Sequence, residues 1–148
     1  MKIVLQRVTE ASVTIEGQVV SQIGRGFLAL LGVTDSDTEE VAEQLAKKMA
    51  KLRIFADSQG KTNLSAAEVD GELLVVSQFT LYADCKKGNR PSFTKAGSPA
   101  HAKALYEYFV ECCQKQFAKV STGEFGAEMA VSLVNDGPFT LILSSEEL

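Results

Sequence analysis

The sequence predicts an α+β fold: a curved antiparallel sheet or partly closed β-barrel that carries two amphipathic helices, in a single domain spanning residues 1–148. Three observations lead there. Apolar and polar residues alternate at the two-residue period of a strand near the start and near the end of the chain. Twice in between, the period changes to that of a helix. No linker, repeat or low-complexity segment divides the chain, and its 148 residues suffice to bury roughly two-thirds of the unfolded surface around one core.

Residues 2–8 and 12–16 are β-prone, and the in/out alternation slips at Thr9-Glu10-Ala11, as at a bulge. Glu16-Gly17-Gln18 then turns the chain into VVSQI. FLALLGV, from Phe27 to Val33, is apolar on both faces, which suits a central strand. From Asp37, DTEEVAEQLAKKMAKL offers a capping pair in Asp37 and Glu40 and an apolar stripe of Val41, Leu45, Met49 and Leu52, so one helix should pack on the sheet. RIF and a polar loop holding DSQGKTN follow, then ELLVVSQFTLYAD, the longest β-signature in the chain. A second helix is predicted from Ser98-Pro99, with Ser as cap and Pro at the first helical position. It runs through AHAKALYEYFVECCQKQF, and Ala102, Leu105, Phe109 and Cys112 or Cys113 mark its buried stripe. KVSTGEFGAEMAVSLVNDGPFTLIL returns to strands. Within it NDGPFT, between AVSLV and LIL, reads as a hairpin turn, although Pro138 removes a backbone donor that the returning strand would use.

Composition narrows the function. The hydrophobic fraction of 45% and the charged fraction of 23% are those of an ordinary globular protein, and no apolar stretch approaches the ~20 residues of a membrane span. The start, MKIVLQRVTEASVTIEG, alternates and carries Arg7 and Glu10, so it reads as a strand and not a secretory signal; a cytoplasmic location is expected. Cys85 stands alone and Cys112-Cys113 are neighbours on a helix, which is no disulfide framework. The single His101 has no His or Cys cluster around it, so neither a metal nor another cofactor is expected. A net charge of −4 argues against indiscriminate nucleic-acid binding. DCKKGNRPSFTK nevertheless gathers Lys86, Lys87, Arg90 and Lys95 around Gly88 and Pro91, a flexible basic loop that is either a solvated surface or a phosphate contact.

Conventional hydrolytic machinery is missing. His101, the one histidine available as a base, falls in the first turn of a predicted helix, at the positive end of its dipole. The carboxylates are scattered, and GRGF lacks the lysine and helix of a phosphate-cradling loop. What remains is SQFTL, Ser77 to Leu81. Strand geometry sets Gln78 and Thr80 side by side on one face, where leaving them without partners would cost roughly 1–3 kcal/mol each. They are satisfied internally or they line a pocket.

Ser77-Gln78-Phe79-Thr80-Leu81 and Asn135-Asp136-Gly137-Pro138-Phe139-Thr140 match in full the segments S-Q-x-T-L and N-x-G-P-x-T. With the start MKIVLQRV, they make the chain resemble, along essentially its whole length, the D-aminoacyl-tRNA deacylases. The resemblance implies a homodimeric enzyme that hydrolyses the ester between a D-amino acid and the terminal adenosine of tRNA, and also removes glycine mischarged onto tRNA for alanine. It implies a cis Gly137-Pro138 bond whose carbonyls, reaching into the other subunit's site, face the substrate's α-carbon, with Arg7 bracing the dipeptide. A cis bond before proline costs only ~0.5–1 kcal/mol, against ~2.5–4 before any other residue. A wall of main-chain atoms would exclude an L side chain while ignoring what a D side chain is, and glycine would pass.

The resemblance further assigns water activation to the ribose 2′-OH of the terminal adenosine, and oxyanion stabilisation to backbone N–H groups near Phe79 and Thr80. Ser77 and Gln78 belong to the same strand end. Thr80 is either a positioning group or a nucleophile, and the sequence supplies no base to activate it. Phe125 and Met129 line the adenosine pocket or simply pack in the core. Lys86, Lys87 and Arg90 become the contact for the acceptor arm of tRNA.

Overall fold

The computed structural model covers residues 1–148. In chain order its elements are β1 (Lys2–Ile15), β2 (Gln18–Ile23), β3 (Gly26–Gly32), α1 (Glu39–Lys51), β4 (Phe55–Ala56), β5 (Thr62–Leu64), β6 (Glu72–Ser77), α2 (Pro99–Gln114), β7 (Val120–Thr122) and β8 (Ala130–Ser144). β1 is the spine. Along one edge its first half pairs with β3 and its second half with β2; along the other edge β8 runs antiparallel from Lys2↔Ser144 to Thr14↔Ala130. The expected slip after Val8 is real: Val8 faces Asn135 and Glu10 faces Val134, so Thr9 is the extra residue of a bulge.

The α+β class holds, but the sheet is mixed rather than antiparallel throughout. β6 lies parallel to β3, and β7 parallel to β6. Each of these pairs is joined through a helix, the crossover that a parallel connection needs. Gly26 permits the β3–β6 approach, since a Cβ there would sit 1.8 Å from the carbonyl oxygen of Glu72. The sheet curls until β2 nears β7: Ser21 donates its hydroxyl to the Thr122 carbonyl, and Lys119 Nζ donates to the Gln22 carbonyl at 3.1 Å. The result is a nearly closed barrel.

Both sheet faces are covered, as the two-sided apolarity of β3 requires. Phe27, Ala29 and Leu31 of β3, with Leu73 and Val75 of β6, join the main core beneath the helices. Leu28, Leu74 and Val76 point the other way, into a smaller cluster with Val8, Ala11, Val13 and Ile23 inside the curl. On α1, Ala42, Leu45, Ala46, Met49 and Ala50 are buried, whereas the expected flanking residues Val41 and Leu52 are only partly covered. Thr38, not Asp37, caps this helix, accepting from the Val41 N–H at 3.3 Å. Asp37 is drawn inward instead: its carboxylate accepts from the Met1 amine at 2.5 Å and the Thr34 N–H at 2.8 Å. Ser98 stands at the cap of α2 but makes no side-chain capping bond; its N–H donates to Asp35 Oδ1 at 2.8 Å. Cys112 and Cys113 are both buried on α2, and burial pushes the Cys113 thiol far above its ordinary pKa. No helix is long and apolar enough to cross a membrane.

NDGPFT does not reverse the chain, contrary to the hairpin expectation. β8 continues through it in one direction, with Asn135 opposite Val8 and Thr140 opposite Gln6. Asp136 to Phe139 are therefore a four-residue excursion from the ladder opposite Arg7 alone. The proline costs no ladder bond because its residue has left the ladder.

Candidate active site

The strand expected to run through Tyr82 stops at Ser77, and Phe79–Tyr82 is a 3-10 turn. The Gln78 N–H still reaches the Leu31 carbonyl at 2.8 Å; beyond it the chain folds on itself, with Leu81 N–H on the Gln78 carbonyl at 3.2 Å and Ala83 N–H on that of Thr80 at 3.0 Å. As at any helical start, the first N–H groups have no acceptor within the turn. Those of Phe79 and Thr80 have none elsewhere in the protein either. Gln78 and Thr80 do meet, though not by strand alternation: Gln78 Nε2 donates to Thr80 Oγ1. An amide is no general base, so this contact orients the hydroxyl without activating it.

Gly32 seats the turn, a role that nothing in the sequence pattern signalled. A Cβ at Gly32 would lie 3.0 Å from Leu81 Cβ, 3.2 Å from the Gln78 carbonyl oxygen and 3.3 Å from Tyr82 Cδ2. The absent side chain lets the turn rest directly on the end of β3.

A cavity of about 490 Å³ opens beside this turn. Val76, Ser77, Gln78 and Phe79 form one wall; Gly97, Pro99 and Ala102 at the start of α2 form another; Phe125 to Ala127 and Met129, before β8, close the third. The structure thus unites SQF with the Phe125/Met129 pair, about fifty positions away in the chain. Phe125 and Met129 also touch the two apolar clusters, so packing and lining are both true of them. Behind Phe125, whose ring lies 5.9 Å from that of Tyr106, the Tyr106 hydroxyl donates to the Val75 carbonyl at 3.2 Å. Burial pushes the Tyr106 pKa up to about 12, with the neighbouring Thr122 working against it. His101 does not line the cavity, and its Nε2 is enclosed without a hydrogen-bond partner.

Gly137 and Pro138 are not among the walls of this cavity; they belong to the excursion in β8, and the bond between them is cis. Arg7 holds that excursion. Its Nε lies 3.1 Å from both the carbonyl oxygen and the Oδ2 of Asp136, its Nη1 donates to the Ile54 carbonyl at 2.6 Å, and its guanidinium sits 4.3 Å from the Phe139 ring centroid. Asn135 closes the loop by donating to the carbonyls of Arg7 and Phe139 at 3.0 and 3.1 Å. The dipeptide is left exposed at the tip.

The basic loop is less free than its composition suggests. Asp84 pairs with Ser92 through both backbone bonds, at 2.7 and 2.9 Å. Its carboxylate accepts the Lys86 N–H at 3.0 Å and pairs with Lys95 Nζ at 3.3 Å, which together hold its pKa below the usual value. Lys86, Lys87 and Arg90 remain exposed and without ion-pair partners.

Residues 4–144 match the family model described as D-Tyr-tRNA(Tyr) deacylase. D-aminoacyl-tRNA deacylases of Thermosipho africanus and Thermotoga petrophila are 54% and 55% identical over 148 residues, covering 100% of this chain and 99% of each relative. The Bacillus thuringiensis enzyme is 53% identical over 146 residues, 99% of this chain and all of that protein. Among solved structures, the c-Myc DNA unwinding element binding protein superposes with a TM-score of 0.91 at 42% identity, over 97% of this chain and 98% of its own. A probable eukaryotic D-amino acid tRNA deacylase shares the fold, with a TM-score of 0.84 at 17% identity over 96% of this chain and 97% of its own.

Proposed function

Because the chain belongs to the D-Tyr-tRNA(Tyr) deacylase family, we propose that it hydrolyses the ester of D-aminoacyl-tRNA to free D-amino acid and tRNA, and also clears glycine from tRNA for alanine. The observation that carries this is the cavity where the Ser77–Phe79 segment meets Phe125 and Met129, beside two main-chain N–H groups that no protein atom uses. The adenosine enters between Phe125 and Met129. As water attacks the ester carbonyl, the N–H groups of Phe79 and Thr80 receive the developing oxyanion, and one such donor is worth ~10²–10³ in rate. The 2′-OH of the terminal adenosine activates the water, a role consistent with the lack of a protein base at the cavity. Gln78 fixes Thr80, whose hydroxyl positions and does not attack.

Selectivity is assigned to the main chain of Gly137 and Pro138, braced by Arg7. The dipeptide is not part of its own protomer's cavity, an arrangement that supports a filter acting on a second copy in a homodimer. β8 has one unpaired edge, and Val134 and Ile142 are exposed on it, as an association surface requires. The Lys86, Lys87 and Arg90 loop contacts the acceptor arm, and the enzyme works in the cytoplasm, where charged tRNA is.

The purified protein is expected to release D-Tyr from D-Tyr-tRNA and glycine from glycyl-tRNA for alanine while leaving L-Tyr-tRNA intact; equal hydrolysis of both hands would defeat the filter. Thr80→Ala should lose less than about tenfold in rate, the worth of one hydrogen bond. A tRNA ending in 2′-deoxyadenosine should lose ~10²–10⁴, the usual contribution of general acid–base catalysis. A dead but folded Thr80→Ala protein would instead make Thr80 the nucleophile.

A further inference from the structure

Phe79 and Phe93 are large aromatic residues left 55% and 38% exposed, and they face each other edge to face with ring centroids 5.2 Å apart. Neither exposure is needed by the fold. Phe79 is also a wall of the cavity, so the pair marks the cavity's lip. Phe93 lies on the same loop as the exposed cations Lys86, Lys87 and Arg90, and that loop is fixed in place. Besides the Asp84 contacts, the Thr34 hydroxyl donates to the Lys95 carbonyl at 2.8 Å, and Gly97 N–H to that of Val33 at 2.8 Å.

We propose that Phe79 and Phe93 form a stacking platform for the unpaired base that precedes the terminal adenosine of the tRNA, with the adjacent cations holding its phosphates. The inference rests on the deacylase reading above and adds to it a second nucleotide site. Three observations select single-stranded RNA as the occupant. An aromatic face accepts any base without reading its identity. Cations beside such a face complement a backbone, and here they stand against a chain of net charge −4. A nucleotide chain whose last residue occupies the cavity must also leave it over a lip, and Phe79 is on that lip. A duplex stem offers its bases no free face for such a platform, so the contact is confined to the single-stranded 3′ end.

Phe93 tests this without touching the reacting atoms. Loss of one base stack corresponds to about 5- to 150-fold, so Phe93→Ala should lower kcat/KM on D-Tyr-tRNA by that range, mainly through KM. On D-tyrosyl-adenosine, which has no preceding base, it should change less than about twofold. Phe93→Trp should restore tRNA turnover. A D-Tyr-tRNA abasic at the position before the terminal adenosine should cost the wild type the same factor and Phe93→Ala nothing further. Equal losses on both substrates, no loss on tRNA, or a loss that persists with the abasic tRNA would overturn the platform. Quenching of 2-aminopurine at that position in uncharged tRNA reads stacking apart from chemistry. A protein that quenches the probe but spares the ester would refute the deacylase reading and keep the platform. One that hydrolyses the ester without quenching would do the reverse.

Discussion

Gly32→Ala probes how closely the Phe79–Tyr82 turn must be seated. The new Cβ would stand 3.0 Å from Leu81 Cβ, 3.2 Å from the Gln78 carbonyl oxygen and 3.3 Å from Tyr82 Cδ2. Contacts this short are tighter than ordinary packing, so the turn has to give by a few tenths of an ångström. Because a main-chain oxygen is among the three atoms, a side-chain rotation does not relieve the crowding. Overpacking of this kind costs about 1–3 kcal/mol, which in a domain of this size lowers Tm by about 2–12 °C. The protein should stay folded, but since a ~1 Å misplacement of positioned groups can cost ~10²-fold, a shift of a few tenths should cost roughly 2- to 10-fold. The expected result is a kcat on D-Tyr-tRNA reduced roughly 2- to 10-fold, with the Phe125/Met129 wall and the basic loop untouched. Gly24→Ala is the matched control, since its Cβ would meet only Glu72 Oε1 at an ordinary 3.5 Å. A folded Gly32→Ala protein with wild-type kcat would refute the view that the turn's seating governs the chemistry.

Arg7→Lys keeps the charge but loses the fork that serves Asp136 and Ile54 together, so it should destabilise by about 1–3 kcal/mol and raise the L/D hydrolysis ratio, read by denaturant melts and paired tRNA assays. Gly26→Ala places a methyl 1.8 Å from the Glu72 carbonyl oxygen, which no rotamer relieves; insoluble or unfolded protein by circular dichroism is expected. Tyr106 has a folded pKa raised from 10.0 to about 12, so its stabilising contribution is fully present below pH 10.0 and is lost as pH rises toward 12. Tyr106→Phe should therefore show a shallower alkaline decline in denaturation midpoint than the wild type.

Legibility followed the range of the interactions. The helices and β3 were readable because period and two-sided apolarity are local properties. The bulge at Thr9 announced itself by a slip in alternation for the same reason. NDGPFT misled because its residues suit a hairpin turn and a strand excursion equally, and only pairing with β1, some 130 residues away, decides between them. SQFTL misled because alternation persists in the sequence past Ser77, where the ladder ends. The parallel pairing of β3, β6 and β7 did have a signal, in the order strand–helix–strand repeated twice. Asp37 reads as a cap because acidic residues before a helix usually are; its partner, the Met1 amine, is brought in only by the sheet. At the site, motif residues were identifiable, whereas Gly32 and the exposed Phe93 belong to no local pattern and acquire their place only through tertiary contacts.

The pairing of β1 with β8 also bears on how the protein is made. β1 leaves the ribosome among the first segments of this sequence and β8 follows all the other strands. Until then one whole edge of the 14-residue β1 has no partner, an open template of the kind that invites strand addition from a neighbouring chain. The last register to close is also the one that sets Arg7 against the Asp136–Phe139 excursion, so the filter proposed for that excursion would be completed only when β8 docks, and a chain stalled before β8 would carry the Phe79–Tyr82 turn without it.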